Sequence, residues 1–233
     1  MDFLFRAYPS RQALAEALAA GVAAVLSGGI ATKGRARLAV SGGSTPKLFF
    51  ETLAKAEIDW ADVTVTLIDE RWVGEDSSRS NAALVKRHLM QGPAARAHFL
   101  PLYVEGLSPD DAQPRLSALL RTFEGPFDAA ILGMGGDGHT ASFFPGADTL
   151  EWATNPQCSD PVVPVRAEGA EEPRVTLSLP AFIDARLLAL HIEGEEKKAV
   201  FDKARADGPT LDLPIRSVLR AKRETPLEVF WAP

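Results

Sequence analysis

Short apolar runs recur along this chain, and stretches of helical periodicity separate them. Ala36–Val40, Val63–Ile68, Val175–Leu179, Leu187–Ile192 and Leu227–Trp231 read as strands, with Phe99–Val104 a shorter one. Phe127–Leu132 is nearly continuous in apolar residues, the pattern of a strand covered on both faces. Between them, Leu48, Phe49, Leu53 and Ala56 fall on one side of a helix, and Asn81–Met90, Ala112–Phe123 and Glu195–Arg205 are further helices. Strands alternating with helices of about 10–15 residues build βαβ units, so the fold class is α/β with a mostly parallel, twisted sheet.

Composition fits that reading. The 233 residues are 46% hydrophobic and 24% charged, the balance of an ordinary globule. One cysteine, Cys158, excludes an intramolecular disulfide and a thiolate cluster. A formal charge of −6 excludes an overall cationic surface for nucleic acid or an anionic membrane, but leaves room for a local basic pocket. The Ala-rich stretch Ala13–Leu26 follows Arg6 and Arg11 as a signal peptide would, yet Glu16 interrupts it. Leu14, Leu18, Val22, Val25 and Leu26 share a helical face, so we expect an amphipathic helix with Ser10 as its N-cap and Gly28-Gly29 as its stop. A cytoplasmic protein is the expectation. The Pro-rich interval 145–173 reads as a long excursion rather than a linker, so one domain over 1–233 is expected. Nothing in the sequence separates a monomer from a homodimer.

In parallel sheets, ligands gather outside the carboxyl ends of the strands. Three loops there carry chemistry. Ser41-Gly42-Gly43-Ser44-Thr45-Pro46 joins a strand to a helix. With Thr45 as N-cap and Pro46 as first helical residue, its backbone N–H groups and the Ser44 and Thr45 hydroxyls suit an anion. Asp69-Glu70-Arg71-Trp72 ends the second strand, followed by Ser80-Asn81; its charges either orient a ligand or pair with one another. Gly133-Met134-Gly135-Gly136-Asp137-Gly138-His139-Thr140 matches G-x-G-x-x-G. However, Pro145-Gly146 follows too soon for a full helix, and no ribose-binding acid lies downstream. That loop instead delivers an imidazole with a carboxylate two residues away. His139 is the candidate general base, and Asp137 would orient its ring or the attacking water. His88 reads as solvated, His98 as a strand entrance, and His191 as a satisfied sheet histidine. Paired histidines for zinc and a G-x-S-x-G nucleophile are both missing.

Together these segments resemble the 6-phosphogluconolactonase family. The resemblance rests on SGGSTP at 41–46, DERW at 69–72 with Ser80-Asn81, and GMGGDGHTASFFP at 133–145. It continues through PRVTLSLP at 173–180 and GEEKKAV at 194–200. It implies a three-layer, Rossmann-like single domain and hydrolysis of 6-phosphoglucono-1,5-lactone, a small sugar-phosphate lactone, without cofactor or metal. By position, His139 falls on the family's catalytic histidine. Arg174 and Lys197 fall on residues that hold the 6-phosphate, with Gly42, Gly43, Ser44, Thr45 and Arg71 nearby. On their own, Arg174 and Lys197 read as solvated surface charges, and Lys198 competes with Lys197 for the phosphate. Asp69 would orient the water or, preferably, hold Arg71. Gly74 and Phe143 depart from the common residues without removing a reactive group. Glucosamine-6-phosphate deaminases have similar loops, but this chain carries Phe143-Phe144-Pro145-Gly146 where they place Asn and Glu. A non-catalytic sugar-phosphate sensor is the third reading; it would need a partner domain and has no use for His139.

Overall fold

The computed structural model describes residues 2–168 and 170–233. Its main sheet has seven strands: β1 (Phe3–Ala7), β2 (Ala36–Val40), β3 (Val63–Leu67), β5 (His98–Leu100), β6 (Ala129–Leu132), β9 (Leu187–Glu193) and β10 (Leu227–Ala232). The order is β1-β10-β9-β6-β2-β3-β5, and every pair is parallel. A second sheet, β4 (Asp69–Arg71), β8 (Arg174–Leu177) and β7 (Val162–Val165), is antiparallel. Every residue of β2 and β6 is buried, as expected of strands covered on both faces.

Helices α1 (Arg11–Lys33), α2 (Lys47–Leu53), α3 (Asn81–His88), α4 (Pro109–Arg121), α5 (Leu150–Ala153), α6 (Leu179–Phe182), α7 (Gly194–Arg205) and α8 (Ile215–Arg220) complete the fold. Helix α1 packs against β2, β6, β9 and β10, burying Leu14, Leu18, Val22 and Leu26, and α7 packs on β9 and β10. One continuous apolar core includes residues of both sheets, from Leu38 and Ile131 to Val163 and Leu177.

Ser10 caps α1 as expected, its hydroxyl accepting from the Ala13 N–H, but the helix does not stop at Gly28-Gly29. It continues to Lys33 and closes at Gly34, whose N–H bonds the Ile30 carbonyl. Gly29 serves packing instead: a Cβ there would lie 2.6 Å from Asp128 Oδ1. That buried carboxylate bonds Lys33 Nζ and the Arg37 N–H. Thr45 is not an N-cap: Pro46 occupies the cap position of α2 without a side-chain cap, and Lys47 is the first helical residue. Asp69–Arg71 and the segment beginning at Arg174 belong to the second sheet rather than to loops or the main sheet. The chain changes sheet at Ile68, whose N–H still bonds Val40 while its carbonyl accepts from Leu177. The excursion before Pro173 supplies β7, which pairs along β8.

Candidate active site

The strand order reverses between β2 and β6, since β3 and β5 follow on one side and β9 and β10 on the other. At such a switch point, loops leave neighbouring strands in opposite directions and open a crevice. Here the loops after β2 and β6 flank a cleft of about 200 Å³. Its lining includes Gly42, Gly43, Ser44, Thr45, Asp69, Arg71, Asn81, His139, Arg174, His191 and Lys197. All the sequence-predicted site residues meet there except Asp137, which stands behind His139.

Asp137 and His139 form a hydrogen-bonded pair, Oδ1 to Nδ1, at 2.6 Å. The same oxygen accepts the His139 backbone N–H at 3.1 Å. A carboxylate only accepts, so Nδ1 carries the hydrogen and Nε2 keeps its lone pair. Burial would raise the Asp137 carboxyl, but the hydrogen bond and charge of His139 outweigh it and hold the group down to about 2. Gly135 permits this geometry, because a Cβ there would lie 2.1 Å from His139 Nδ1. The Gly135 N–H bonds the His139 carbonyl and the Gly138 N–H the Gly135 carbonyl, so the glycines build a closed turn rather than a helix entrance.

The second sheet presents the cations. Alternation along β4 puts Asp69 and Arg71 on one side and Glu70 on the other. Glu70 is fully buried and accepts from the N–H groups of Arg71, Asn81 and Ala82 and from the Ser80 hydroxyl. It fixes the start of α3; burial pushes its carboxyl upward, against those backbone bonds. Arg71 and Arg174 stand directly opposite in the β4–β8 register. Like charges so placed repel. Arg174 is only 9% exposed, and its Nε, like that of Arg71, has no hydrogen-bond partner among the described residues. Burial lowers the Arg174 pKa, opposed by the Asp69 carboxylate and reinforced by Arg71. Asp69 Oδ2 lies 3.9 Å from Arg174 Nη1 and accepts the Ser142 hydroxyl at 2.6 Å. Asp69 therefore faces Arg174, and the expectation that it holds Arg71 is not met: Arg71 Nη1 donates to the Arg79 carbonyl.

Arg174 is a buried cleft residue, not a solvated charge. Lys197, in the first turn of α7, also reaches the cleft, whereas Lys198 Nζ is engaged by Asp202 at 2.7 Å. Phe144 contacts both halves of the site, with its ring centroid 4.4 Å from that of His139 and 5.1 Å from the Arg174 guanidinium carbon. Ser41 Oγ and Asn81 Oδ1 are buried at the cleft wall without partners among the described residues. Ala141, also in the wall, holds a left-handed backbone at φ 52°, in the turn that carries Ser142 to Asp69. Among the described residues, no three His, Cys, Asp or Glu side chains converge as a metal site.

Sequence reasoning named Asn81 without giving it a role, and it gave His191 a structural one. Asn81 bonds the Asp69 carbonyl through Nδ2 and faces the glycine loop. His191, read as a core histidine, is buried in β9 but opens on the cleft. Of the other histidines, His88 is half-buried on Glu51 rather than solvated, and His98 is exposed at the start of β5.

Comparison with known proteins finds relatives along nearly the whole chain. A family model described as glucosamine-6-phosphate isomerases/6-phosphogluconolactonase matches residues 9–231. The chain is similar to a 6-phosphogluconolactonase of Rhizobium meliloti, 47% identical over 226 residues and 97% of each chain. It is also similar to one of Mesorhizobium japonicum, 51% identical over 232 residues, covering 100% of this chain and 96% of the relative. Among solved structures, a 6-phosphogluconolactonase from Shewanella baltica gives a TM-score of 0.95 at 39% identity, covering 100% of this chain and 98% of that one.

Proposed function

Because the chain belongs to the glucosamine-6-phosphate isomerase/6-phosphogluconolactonase family, we propose that it hydrolyses 6-phosphoglucono-1,5-lactone to 6-phosphogluconate, with His139 as general base. We read the whole chain as one unit, since one core runs beneath both sheets. The observation that carries the substrate class is the opposed pair Arg71 and Arg174. Two arginines opposite one another in the register, each with an Nε unpartnered among the described residues, and Lys197 in the same cleft lining form a site that a phosphate dianion completes.

With the phosphate so held, the lactone ring lies toward His139. Nε2 takes a proton from water as its oxygen bonds C1, and the carbonyl electrons move onto the carbonyl oxygen. Gly42 and Gly43 line the cleft, and in this reading their backbone N–H groups receive that oxyanion. On collapse the C1–ring oxygen bond breaks, and the imidazolium returns its proton to the departing oxygen as the C5 hydroxyl. The carboxylic acid product then ionises and releases one proton to solvent.

That released proton is the assay. Freshly made lactone should acidify a weakly buffered solution faster with protein than by spontaneous hydrolysis; equal rates would sink the proposal. Arg174→Ala should raise KM by at least about thirtyfold, as expected when one side of a buried charged contact is deleted. An unchanged KM would remove the phosphate role. Glucosamine 6-phosphate should release no ammonia, because Phe143-Phe144-Pro145-Gly146 stands where the deaminases place Asn and Glu, and the Phe144 ring packs against His139 at 4.4 Å between centroids.

A further inference from the structure

His191 belongs to a second carboxylate–imidazole pair in the same cleft. Residues two apart on a strand share a face, and β9 uses this to set Glu193 Oε1 3.1 Å from His191 Nε2. The other Glu193 oxygen lies 3.3 Å from Arg11 Nε at the start of α1, so the carboxylate is held from outside. Phe49, at the start of α2, meets the imidazole edge-on at 6.2 Å between ring centroids. The ring is only 3% exposed, yet it forms part of the cleft wall.

The carboxylate accepts, so Nε2 must carry the ring hydrogen, and Nδ1 is left as a lone-pair acceptor. Nδ1 has no hydrogen-bond partner among the described residues. Nδ1 is not among the polar atoms that are both buried and unpartnered, so it keeps some exposure, and the opening that this residue lines is the cleft. A phosphate dianion carries no hydrogen to give it. A sugar hydroxyl does.

We propose that His191 is a substrate-binding residue that accepts a hydrogen bond from a ring hydroxyl through Nδ1, in the tautomer fixed by Glu193. This rests on the lactonase reading above and deepens it. Arg71, Arg174 and Lys197 recognise the phosphate end; His191 recognises the polyhydroxyl body and helps set the lactone's orientation toward His139.

His191→Gln tests this, because the glutamine amide can replace Nε2 against Glu193 while nothing replaces Nδ1. The expected result is a roughly tenfold rise in KM and in the Kd for 6-phosphogluconate, the scale of one neutral hydrogen bond. kcat should stay within about twofold, and inorganic phosphate should bind as to the parent protein. His191→Asn, whose amide falls near the Nδ1 position, should recover part of the loss. An unchanged Kd for 6-phosphogluconate in His191→Gln overturns the proposal, and so does equal weakening of inorganic phosphate.

A second readout keeps His191 in place. With ¹⁵N-labelled histidine in a His88→Gln, His98→Gln, His139→Gln protein, the lone remaining imidazole should show a protonated Nε2 and an unprotonated Nδ1. Adding 6-phosphogluconate should shift the Nδ1 resonance, and inorganic phosphate should not. An Nδ1 signal unmoved at saturation overturns the proposal. Binding of 6-phosphogluconate with no response at His191 leaves the lactonase reading standing and removes this one. If the parent protein neither binds 6-phosphogluconate nor hydrolyses the lactone, both fall.

Discussion

The cleft holds two imidazole–carboxylate pairs with the same sequence spacing and opposite surroundings. Asp137 and His139 sit in a glycine turn and are partly exposed, with Nδ1 engaged and Nε2 free. His191 and Glu193 sit on a buried strand, with Nε2 engaged and Nδ1 free. A group that takes and returns a proton needs water nearby and freedom to settle as charge moves, and a turn supplies both. A group that only accepts a hydrogen bond gains from rigidity, which a central strand supplies. One chemical pair can thus serve proton transfer or recognition according to the element that carries it.

Removing each imidazole in turn should separate the two roles. His139→Asn should lower kcat by about 10³-fold, within the range for a general base, while the Kd for 6-phosphogluconate changes by less than about threefold. His191→Gln should do the reverse, as argued above. If His139→Asn raised KM and left kcat intact, the turn pair would be the recognition element and the assignment would invert.

The carboxylates should separate next. Asp137→Ala frees the imidazole to take the wrong tautomer, and kcat should fall about ten- to hundredfold at unchanged KM. Its stability cost should stay under about 1 kcal/mol, because water replaces a half-exposed carboxylate. Glu193→Ala leaves a buried N–H without an acceptor, so it should cost about 1–3 kcal/mol in denaturant unfolding. Equal stability losses in the two variants would show that burial does not distinguish the pairs.

The two regions were also unequally legible in the sequence. Asp137 and His139 stand out because glycines surround them, and glycine at 135 is forced by the imbricated ring behind it. His191 lies between Leu190 and Ile192, so its neighbours advertise a core strand and conceal its function. Its place near the carboxyl end of a parallel strand was the available signal. The central strands were readable because burial on both faces writes a continuous apolar run. In the second sheet β8 was readable as the apolar run from Val175, but β4 was not, since it is three charged residues of which Asp69 and Arg71 face the polar cleft, and function overrides the pattern. Strand β1 was missed for a simpler reason, being an edge strand with four of five residues exposed. Arg174 became intelligible only with Arg71 opposite, a relation of register that no local window contains.

The smallest expected effect is on acid stability, and it falls on the turn pair. Asp137 in the folded protein is held down to about 2, whereas an unfolded aspartate titrates near ~3.9. Between those values the unfolded chain binds more protons, so folding loses support as pH falls. The contribution is whole above the unfolded pKa and is lost progressively as pH drops toward 2. Asp137→Asn removes the titrating group and should flatten this part of the acid-unfolding curve, by a margin that the pair's exposure keeps small. Holding His139 as asparagine should flatten it in the same way, because the depression comes from the imidazole. An acid limb that is unchanged by Asp137→Asn, with His139 intact, would mean that the turn pair is not held together in solution, and the general base would then lack its orienting partner.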